Sequence, residues 1–199
     1  MEVAMKYNLS EISELIRDRR TITPENYSNR VVHDEIIKNV LNSGIWAPSH
    51  GMTQPWFFKV FKGDARLRMS DFMSSLYRDL TPVDKYLQSK FDKIKSRPEL
   101  SSVVIAICMR RDGNRKIEEI EEIEAVACAV QNVMLHSVGY GIGTFWSTPK
   151  LCYTDQMKEF LNLGAEDKCL GLLYMGYPES DWPKSHRKPL EYVSEWITE

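Results

Sequence analysis

Basic side chains that could hold a phosphate occur at two places far apart in the chain. Arg19-Arg20-Thr21 combines two guanidinium groups with a hydroxyl at the end of a helical pattern, and Arg187 lies in a basic stretch near the carboxyl terminus. Guanidinium groups bind phosphate through charge-assisted, bidentate hydrogen bonds. Basic residues are also common at the last turn of a helix and on a solvated surface, so each segment taken alone leaves both interpretations open.

A second group of candidate residues lies in a proline-bounded turn. Trp46 and His50 are followed closely by Gln54, and Pro55 then leads into an aromatic, β-branched segment that begins at Trp56. Stacking and hydrogen-bonding groups on a rigid turn are typical of a site for a flat heterocycle. An aromatic corner of the core fits the same residues.

Motifs for side-chain catalysis or metal binding do not emerge. The glycines between 139 and 143 follow a helical pattern and precede a strand, the reverse of a dinucleotide fingerprint, and predict a helix cap and tight turn. Two Ser-x-x-Lys matches lack the companion motifs of serine hydrolases, and no zinc motif occurs. The cysteines have no paired spacing and are expected to be buried thiols in a reducing compartment; they are Cys108, Cys128, Cys152 and Cys169.

Charge and hydropathy exclude several classes of function. The 199 residues include 26 basic and 28 acidic side chains, and the net charge of -2 gives no general attraction to nucleic acid. A nucleic-acid or phosphate-binding module would need a local patch built from Arg17, Arg19, Arg20, Arg187 and Lys188. The longest apolar run, 103–109, is too short to cross a membrane, and residues 1–10 do not resemble a signal peptide, so a cytoplasmic protein is expected.

The pattern along the chain predicts one α+β domain over residues 1–199, with residues 77–98 as an excursion. The longest helical pattern, 116–140, has a glutamate-rich start that we expect to be solvated and a later part with almost no polar face. We therefore expect this helix to be enclosed by the sheet and by another subunit. Helices are predicted at 8–20, 34–44, twice on the surface within 63–97, and at 155–161, and strands at 56–61, 103–109, 144–146 and 169–177.

Taken in order over residues 11–190, these segments resemble the nitroreductase family of FMN-dependent oxidoreductases, especially its short, single-domain branch. Each motif is weak alone, but their shared order and spacing make a chance match improbable. The matching segments are Arg19-Arg20-Thr21, Ala47-Pro48-Ser49-His50, Gln54-Pro55-Trp56, Gly141-Ile142-Gly143 running into Trp146-Ser147-Thr148, residues 172–178, and Arg187.

This resemblance implies a mixed central sheet flanked by helices, in an intertwined homodimer with FMN at the interface. The helix at 116–140 then corresponds to the central interface helix, and a large charged residue at Ala129 is expected to disrupt the dimer. Carried over by position, the FMN phosphate and ribityl chain are assigned to Arg19, Arg20, Thr21 and Arg187. The remaining FMN contacts are assigned to His50, Trp146, Ser147 and Thr148. Trp46 stands at the place of a partner-subunit arginine, and Gln54 is added from the same loop.

The implied activity is hydride transfer from NAD(P)H to flavin, followed by reduction of a nitroaromatic, quinone or similar flat acceptor. The flavin carries this chemistry, so no catalytic side chain is assigned. A flavin-binding carrier or sensor dimer with little turnover is the alternative. Residues 77–98 align with a variable cover that is expected to set acceptor choice. Thr23 and Trp46 replace a lysine and an arginine of relatives, which predicts a lower flavin potential if no other cation compensates.

Overall fold

A computed structural model of the chain describes residues 6–199, which are built around a four-stranded sheet. The strands are β1 (Trp56–Phe61), β2 (Val103–Met109), β3 (Gly143–Ser147) and β4 (Lys168–Gly176), in the order β1-β2-β4-β3. Every neighbouring pair is antiparallel, whereas the resemblance predicts a mixed sheet. Parallel pairing in the described residues is confined to a single bridge between Thr21 and Thr144.

Helices cover both faces of the sheet and confirm the α+β class. One face packs against α2 and α5, and the other packs against α3, α4 and α6, so that each face has its own apolar core. All seven residues of β2 are buried, as expected for a strand at the centre of such a sandwich. The helices are α1 (Leu9–Asp18), α2 (Asp34–Gly44), α3 (Asp64–Leu80), α4 (Gln88–Leu100), α5 (Glu119–Gly139) and α6 (Asp155–Phe160).

The predicted cap at the end of α5 is confirmed. Gly141 has a positive φ of 68°, and its N–H donates to the carbonyl of Val138 at 2.8 Å. The N–H of Ile142 donates to the carbonyl of Ser137 at 3.0 Å. These two bonds form a Schellman motif, which satisfies the last carbonyls of the helix and turns the chain directly into β3.

Two burial predictions are wrong, and one proposed interface position lies in the core of the single chain. Cys128 is exposed on α5, while the other three cysteines are buried, because it lies on the face of the helix turned away from the sheet. Ala129 is completely buried within its own chain, where its carbonyl lies against Gly44 of α2. Its replacement would therefore damage the core and does not probe an interface. The surface assignment of α3 also fails, since Met69 and Met73 recur on one side and enter the core.

The sequence predicted that the glutamates at the start of α5 are solvated, and this prediction is wrong for Glu122. Glu122 is only 1% exposed, and its carboxylate accepts hydrogen bonds from the Arg111 guanidinium and from the Asp112 N–H. Glu119 pairs with Lys168 at 2.8 Å. A buried carboxylate needs such partners to offset its desolvation, and sequence spacing gives no sign that Arg111 would supply them.

Apolar side chains remain uncovered on α1 and near the carboxyl terminus. Helix α1 buries none of its residues, and Leu9, Ile12 and Ile16 are exposed along it. Trp196 and Ile197 are largely exposed, at 79% and 83%. Uncovered apolar surface of this extent is typical of an interaction face. Within the described part of the chain, no helix is long and apolar enough to cross a membrane.

Candidate functional site

Three arginines converge beyond the carboxyl end of α1. Arg19 caps that helix, and Arg187, from the other end of the chain, lies near enough to influence its charge. Partial burial, followed by the charges of Arg187 and Arg20, lowers the pKa of Arg19 below its ordinary value. Among the described residues, no carboxylate forms an ion pair with any of the three. A cluster of like charges without a counter-charge is suited to bind an anion.

The side chain of Arg20 adds a second sign of anion binding. One of its terminal nitrogens donates to the carbonyls of Arg17 and Arg19, the latter at 2.8 Å, which holds the guanidinium at the helix end. Its Nε is buried and has no hydrogen-bond partner in the described structure. An unsatisfied buried donor is costly, and a phosphate oxygen at this position would satisfy it. The residues therefore fit a phosphate group.

Thr21 connects this arginine cluster to the sheet. Thr21 pairs with Thr144 at the start of β3, and the N–H of Ile22 donates to the Thr144 carbonyl at 3.1 Å. The approach is close, since a Cβ on Gly143 would lie only 2.7 Å from Ile22. The glycine is what allows residues 19–22 to lie against this strand.

Trp146, Ser147 and Thr148 lie at the opposite end of β3. At about 3.3 Å per residue, Thr148 is roughly 13 Å along the chain from Thr144. The indole of Trp146 packs on the α2/α5 side of the sheet, and its Nε1 donates to the Leu170 carbonyl at 3.2 Å. Ser147 is half-buried and Thr148 is exposed. Both hydroxyls are thus at least partly accessible at the strand end, while the half-buried indole is held by its hydrogen bond to β4.

The loop that carries Trp46, His50 and Gln54 has an unusual backbone. Gly51, Met52 and Gln54 all have positive φ, of 58°, 55° and 47°. For residues other than glycine this conformation costs of order 1 kcal/mol or more, and such strain clusters at functional sites. The N–H of Gln54 donates to Ser49 Oγ at 3.3 Å, which helps to hold the turn.

A cavity of about 290 Å³ opens beside this loop. Trp46 and Gln54 both line it, and Trp46 is 80% exposed. In the same loop, the Thr53 hydroxyl is buried without a hydrogen-bond partner in the described structure. Exposed indole, amide and strained backbone around a concave surface suit a flat ligand better than the corner of a core.

His50 does not stand alone on this loop. Its Nδ1 lies 2.5 Å from the Oε2 of Glu121 in the first turn of α5. Sequence analysis missed Glu121 because it belongs to a glutamate-rich run that is typical of a solvated helix start. Nothing in the local spacing relates it to a histidine so far back in the chain.

The candidate residues therefore form two groups at opposite ends of α5. The loop group contacts the helix at Glu121, whereas Arg20 shares a cavity with Val138 in the last turn. At 1.5 Å per residue these two positions are about 25 Å apart. A single chain brings Arg19, Arg20, Thr21 and Arg187 together, but it does not bring them to Trp46, His50 and Gln54.

Comparison with known proteins defines the family. The model of the nitroreductase family matches residues 16–177, which is most of the chain. The chain therefore belongs to the nitroreductase family. It is 30% identical over 208 residues to iodotyrosine deiodinase 1 of Sus scrofa, with 96% of this chain and 70% of that protein covered. It is also 28% identical over 145 residues to YdjA of Escherichia coli strain K12, which is provisionally named an NAD(P)H nitroreductase. This match covers 73% of this chain and 77% of YdjA.

The fold has close counterparts among solved structures. The FMN-dependent nitroreductase NfnB from Mycobacterium smegmatis, crystallised in complex with NADPH, matches with a TM-score of 0.74 at 18% identity. The match covers 96% of this chain and 100% of that one. The expected nitroreductase-like fold is thereby confirmed.

Proposed function

We propose that this protein is an FMN-dependent oxidoreductase that takes electrons from NAD(P)H and passes them to a flat aromatic acceptor. The observation that carries the proposal is the convergence of Arg19, Arg20 and Arg187 without a counter-charge, together with the buried, unsatisfied Nε of Arg20. The family and the name of NfnB, an FMN-dependent enzyme bound to NADPH, support FMN and NAD(P)H as the cofactor and the electron donor.

In this proposal the chain binds and orients the cofactor. The three arginines hold the phosphate, the Thr21 hydroxyl lies beside them, and Ser147 and Thr148 line the ring at the end of β3. Bound FMN would supply the hydride chemistry, which no amino-acid side chain can provide. The strained Trp46–Gln54 loop of a partner subunit would lie against the ring and exclude water.

The distance between the two groups of residues supports a homodimer. In a two-fold dimer that packs α5 against its copy in antiparallel fashion, the loop end of one helix meets the arginine end of the other. The exposed Cys128 face of α5 and the uncovered apolar residues of α1 supply surface for such a contact. We therefore propose that each flavin is held by the arginines of one protomer and by the Trp46–Gln54 loop of its partner.

The names of the relatives limit the electron acceptor to a class of flat aromatic compounds and do not identify one compound. YdjA and NfnB are named as nitroreductases, whereas the Sus scrofa relative is named as a deiodinase of iodotyrosine. A nitroaromatic, a quinone and an iodinated phenol are therefore the acceptors to compare. We propose that residues 77–98, which include the end of α3 and most of α4, discriminate between them.

Spectroscopy of the purified protein tests the proposal directly. The protein, supplied with excess FMN and desalted, is expected to be a yellow dimer that is bleached by NADPH without oxygen and recovers its colour with one of the three acceptors. Colourless, monomeric protein would overturn the proposal. Protein that binds FMN but is not reduced by NADPH or NADH would instead be a flavin carrier or sensor.

A further inference from the structure

The contact between His50 and Glu121 is the strongest feature that the proposed function leaves unexplained. Their Nδ1 and Oε2 atoms are 2.5 Å apart, although the two residues belong to different elements. The neighbouring glutamates have other partners: Glu122 is engaged by Arg111, and Glu119 by Lys168. Glu121 is therefore committed to His50 within the described structure.

The backbone provides a second, independent attachment of the same loop. Gly51, directly after His50, lies over the segment that leads into α5, and a Cβ there would be 3.3 Å from the Cδ1 of Ile117. Its φ of 58° keeps the chain against that segment. The imidazole is thus fixed at the backbone by this close approach and at the ring by Glu121.

A carboxylate on one ring nitrogen determines what the other nitrogen can do. When Nδ1–H donates to Glu121, the neutral imidazole carries its proton on Nδ1, and Nε2 is left as a hydrogen-bond acceptor. His50 is 64% exposed, so this second nitrogen is accessible to a ligand. Glu121 provides the one hydrogen bond to the ring in the described structure, so that without it no hydrogen bond there would select a tautomer.

We propose that Glu121 is a positioning residue: it fixes the orientation and the tautomer of His50, so that Nε2 is presented to the bound cofactor as an acceptor. This inference rests on the proposed function for the identity of the ligand. The orientation of the ring, however, is a property of the chain alone and can be measured without FMN.

The tautomer is tested by nitrogen-15 NMR of the imidazole rings at mildly alkaline pH. The His50 signals are identified by their absence in His50→Ala. Wild type is expected to show protonated Nδ1, Glu121→Gln to keep this pattern because its amide oxygen still accepts, and Glu121→Ala to lose it. A predominantly Nε2-protonated His50 in wild type, or an unchanged pattern in Glu121→Ala, would overturn the inference.

The consequence for cofactor binding is tested by a double-mutant cycle on FMN affinity, measured by quenching of flavin fluorescence. Removing one hydrogen-bond partner commonly weakens binding about fivefold, so both His50→Ala and Glu121→Ala are expected to raise Kd by that factor. The double variant is expected to be no weaker than His50→Ala alone. Additive effects, or an unchanged Kd for Glu121→Ala, would overturn the inference.

Two further variants separate positioning from general damage. Glu121→Gln is expected to restore the wild-type Kd to within about twofold, since it restores the acceptor. Glu124→Ala, on an exposed position of the same helix, is expected to leave both tautomer and Kd unchanged. Failure of wild type to bind FMN would overturn the proposed function, whereas the NMR result would still decide the role of Glu121.

Discussion

Arg19 lies within the electrostatic influence of Arg187, although the two residues come from opposite ends of the chain: partial burial and then the charge of Arg187 lower the pKa of Arg19. Arg20 adds to the same effect. Like charges held together raise the free energy of the folded state unless an anion neutralises them. The fold therefore maintains an arrangement that is unfavourable by itself and favourable when a phosphate is bound.

The arginine cluster predicts a selective loss of FMN affinity. Arg19→Ala removes a charged hydrogen-bond partner and is expected to raise the Kd for FMN at least tenfold, with Arg187→Ala acting in the same direction. Fluorescence titration measures both. Arg17→Ala is the matched control, because Arg17 lies in the same helical turn but is exposed and paired with Asp18. Equal Kd values for wild type and the two cluster variants would contradict the assignment.

A glycine in β4 predicts a sharp stability effect. Gly171 has a φ of 134°, and a Cβ there would lie 2.5 Å from Trp146 Nε1 and 2.7 Å from the Ser147 carbonyl. Gly171→Ala is expected to lower the free energy of unfolding by about 2 kcal/mol or more, because both backbone strain and overpacking oppose it. Urea denaturation measures the change.

The control for this substitution is Gly139→Ala at the end of α5, where a Cβ would have nothing within 4 Å. Alanine there is expected to be neutral or stabilising by up to about 1 kcal/mol. A loss of stability at Gly139 as large as that at Gly171 would show that the close approach of Trp146 is not the cause.

The elements were predictable where local pattern alone determines them. The apolar run of β2 and the aromatic run of β1 gave strands with the observed bounds, and α5 ends at the glycine cap that its sequence predicts. Long-range partners were not predictable. The Arg111 guanidinium that allows Glu122 to be buried is brought there by the turn after β2, which no helical periodicity reveals.

The candidate site shows the same division. Each segment could be selected from its residue types, and the order of the segments indicated the family. The resemblance related Trp46 to the partner subunit, but the distance between the arginine group and the Trp46–Gln54 loop could not be read from the sequence, because it depends on which end of α5 each segment meets. The hydrogen bond from the half-buried Trp146 indole to the Leu170 carbonyl likewise depends on the register between β3 and β4.

The ion pair between Glu25 and Arg97 predicts a pH-dependent contribution to stability. Partial burial raises the pKa of Glu25. Hydrogen bonds from Arg97 and within the turn at Thr23 lower this pKa by a larger amount, so the net pKa lies below the ordinary value of 4.5. A depressed carboxyl pKa stabilises the fold above that value, and the contribution is lost as the pH falls through the folded-state pKa.

Arg97→Gln and Glu25→Gln are therefore both expected to lower the free energy of unfolding at neutral pH, by up to about 1 kcal/mol for a partly exposed pair. The difference from wild type is expected to shrink below about pH 4.5. Urea denaturation at pH values from about 3 to 7, in steps of about one pH unit, measures this difference in the free energy of unfolding. A difference that stays constant to the lowest pH would mean that packing of Arg97 over Phe145 dominates.

The proposed dimer predicts coupled loss of assembly and cofactor. Cys128→Arg places a charge on the exposed face of α5 and is expected to yield monomers that do not retain FMN. Light scattering after size exclusion, with absorbance at the flavin band, measures both properties together. Leu67→Arg is the control, because Leu67 is similarly exposed but lies on α3. A Cys128→Arg monomer that keeps its flavin would contradict a site shared between protomers.

The reduction potential of bound FMN is expected to depend on the cations around the reduced ring. A substitution at Thr23 tests this dependence. Thr23 accepts a hydrogen bond from Asn26 at 3.0 Å, and the guanidinium of Arg97, which reaches this turn, is already engaged by Glu25 at 2.8 Å. Reduction places negative charge on the ring, so Thr23→Lys is expected to make the midpoint potential of bound FMN more positive. Spectroelectrochemical titration measures it, with Thr23→Met as a control for size without charge. An unchanged potential in Thr23→Lys would show that position 23 does not act on the ring, and a shift in Thr23→Met would show that its action is not electrostatic.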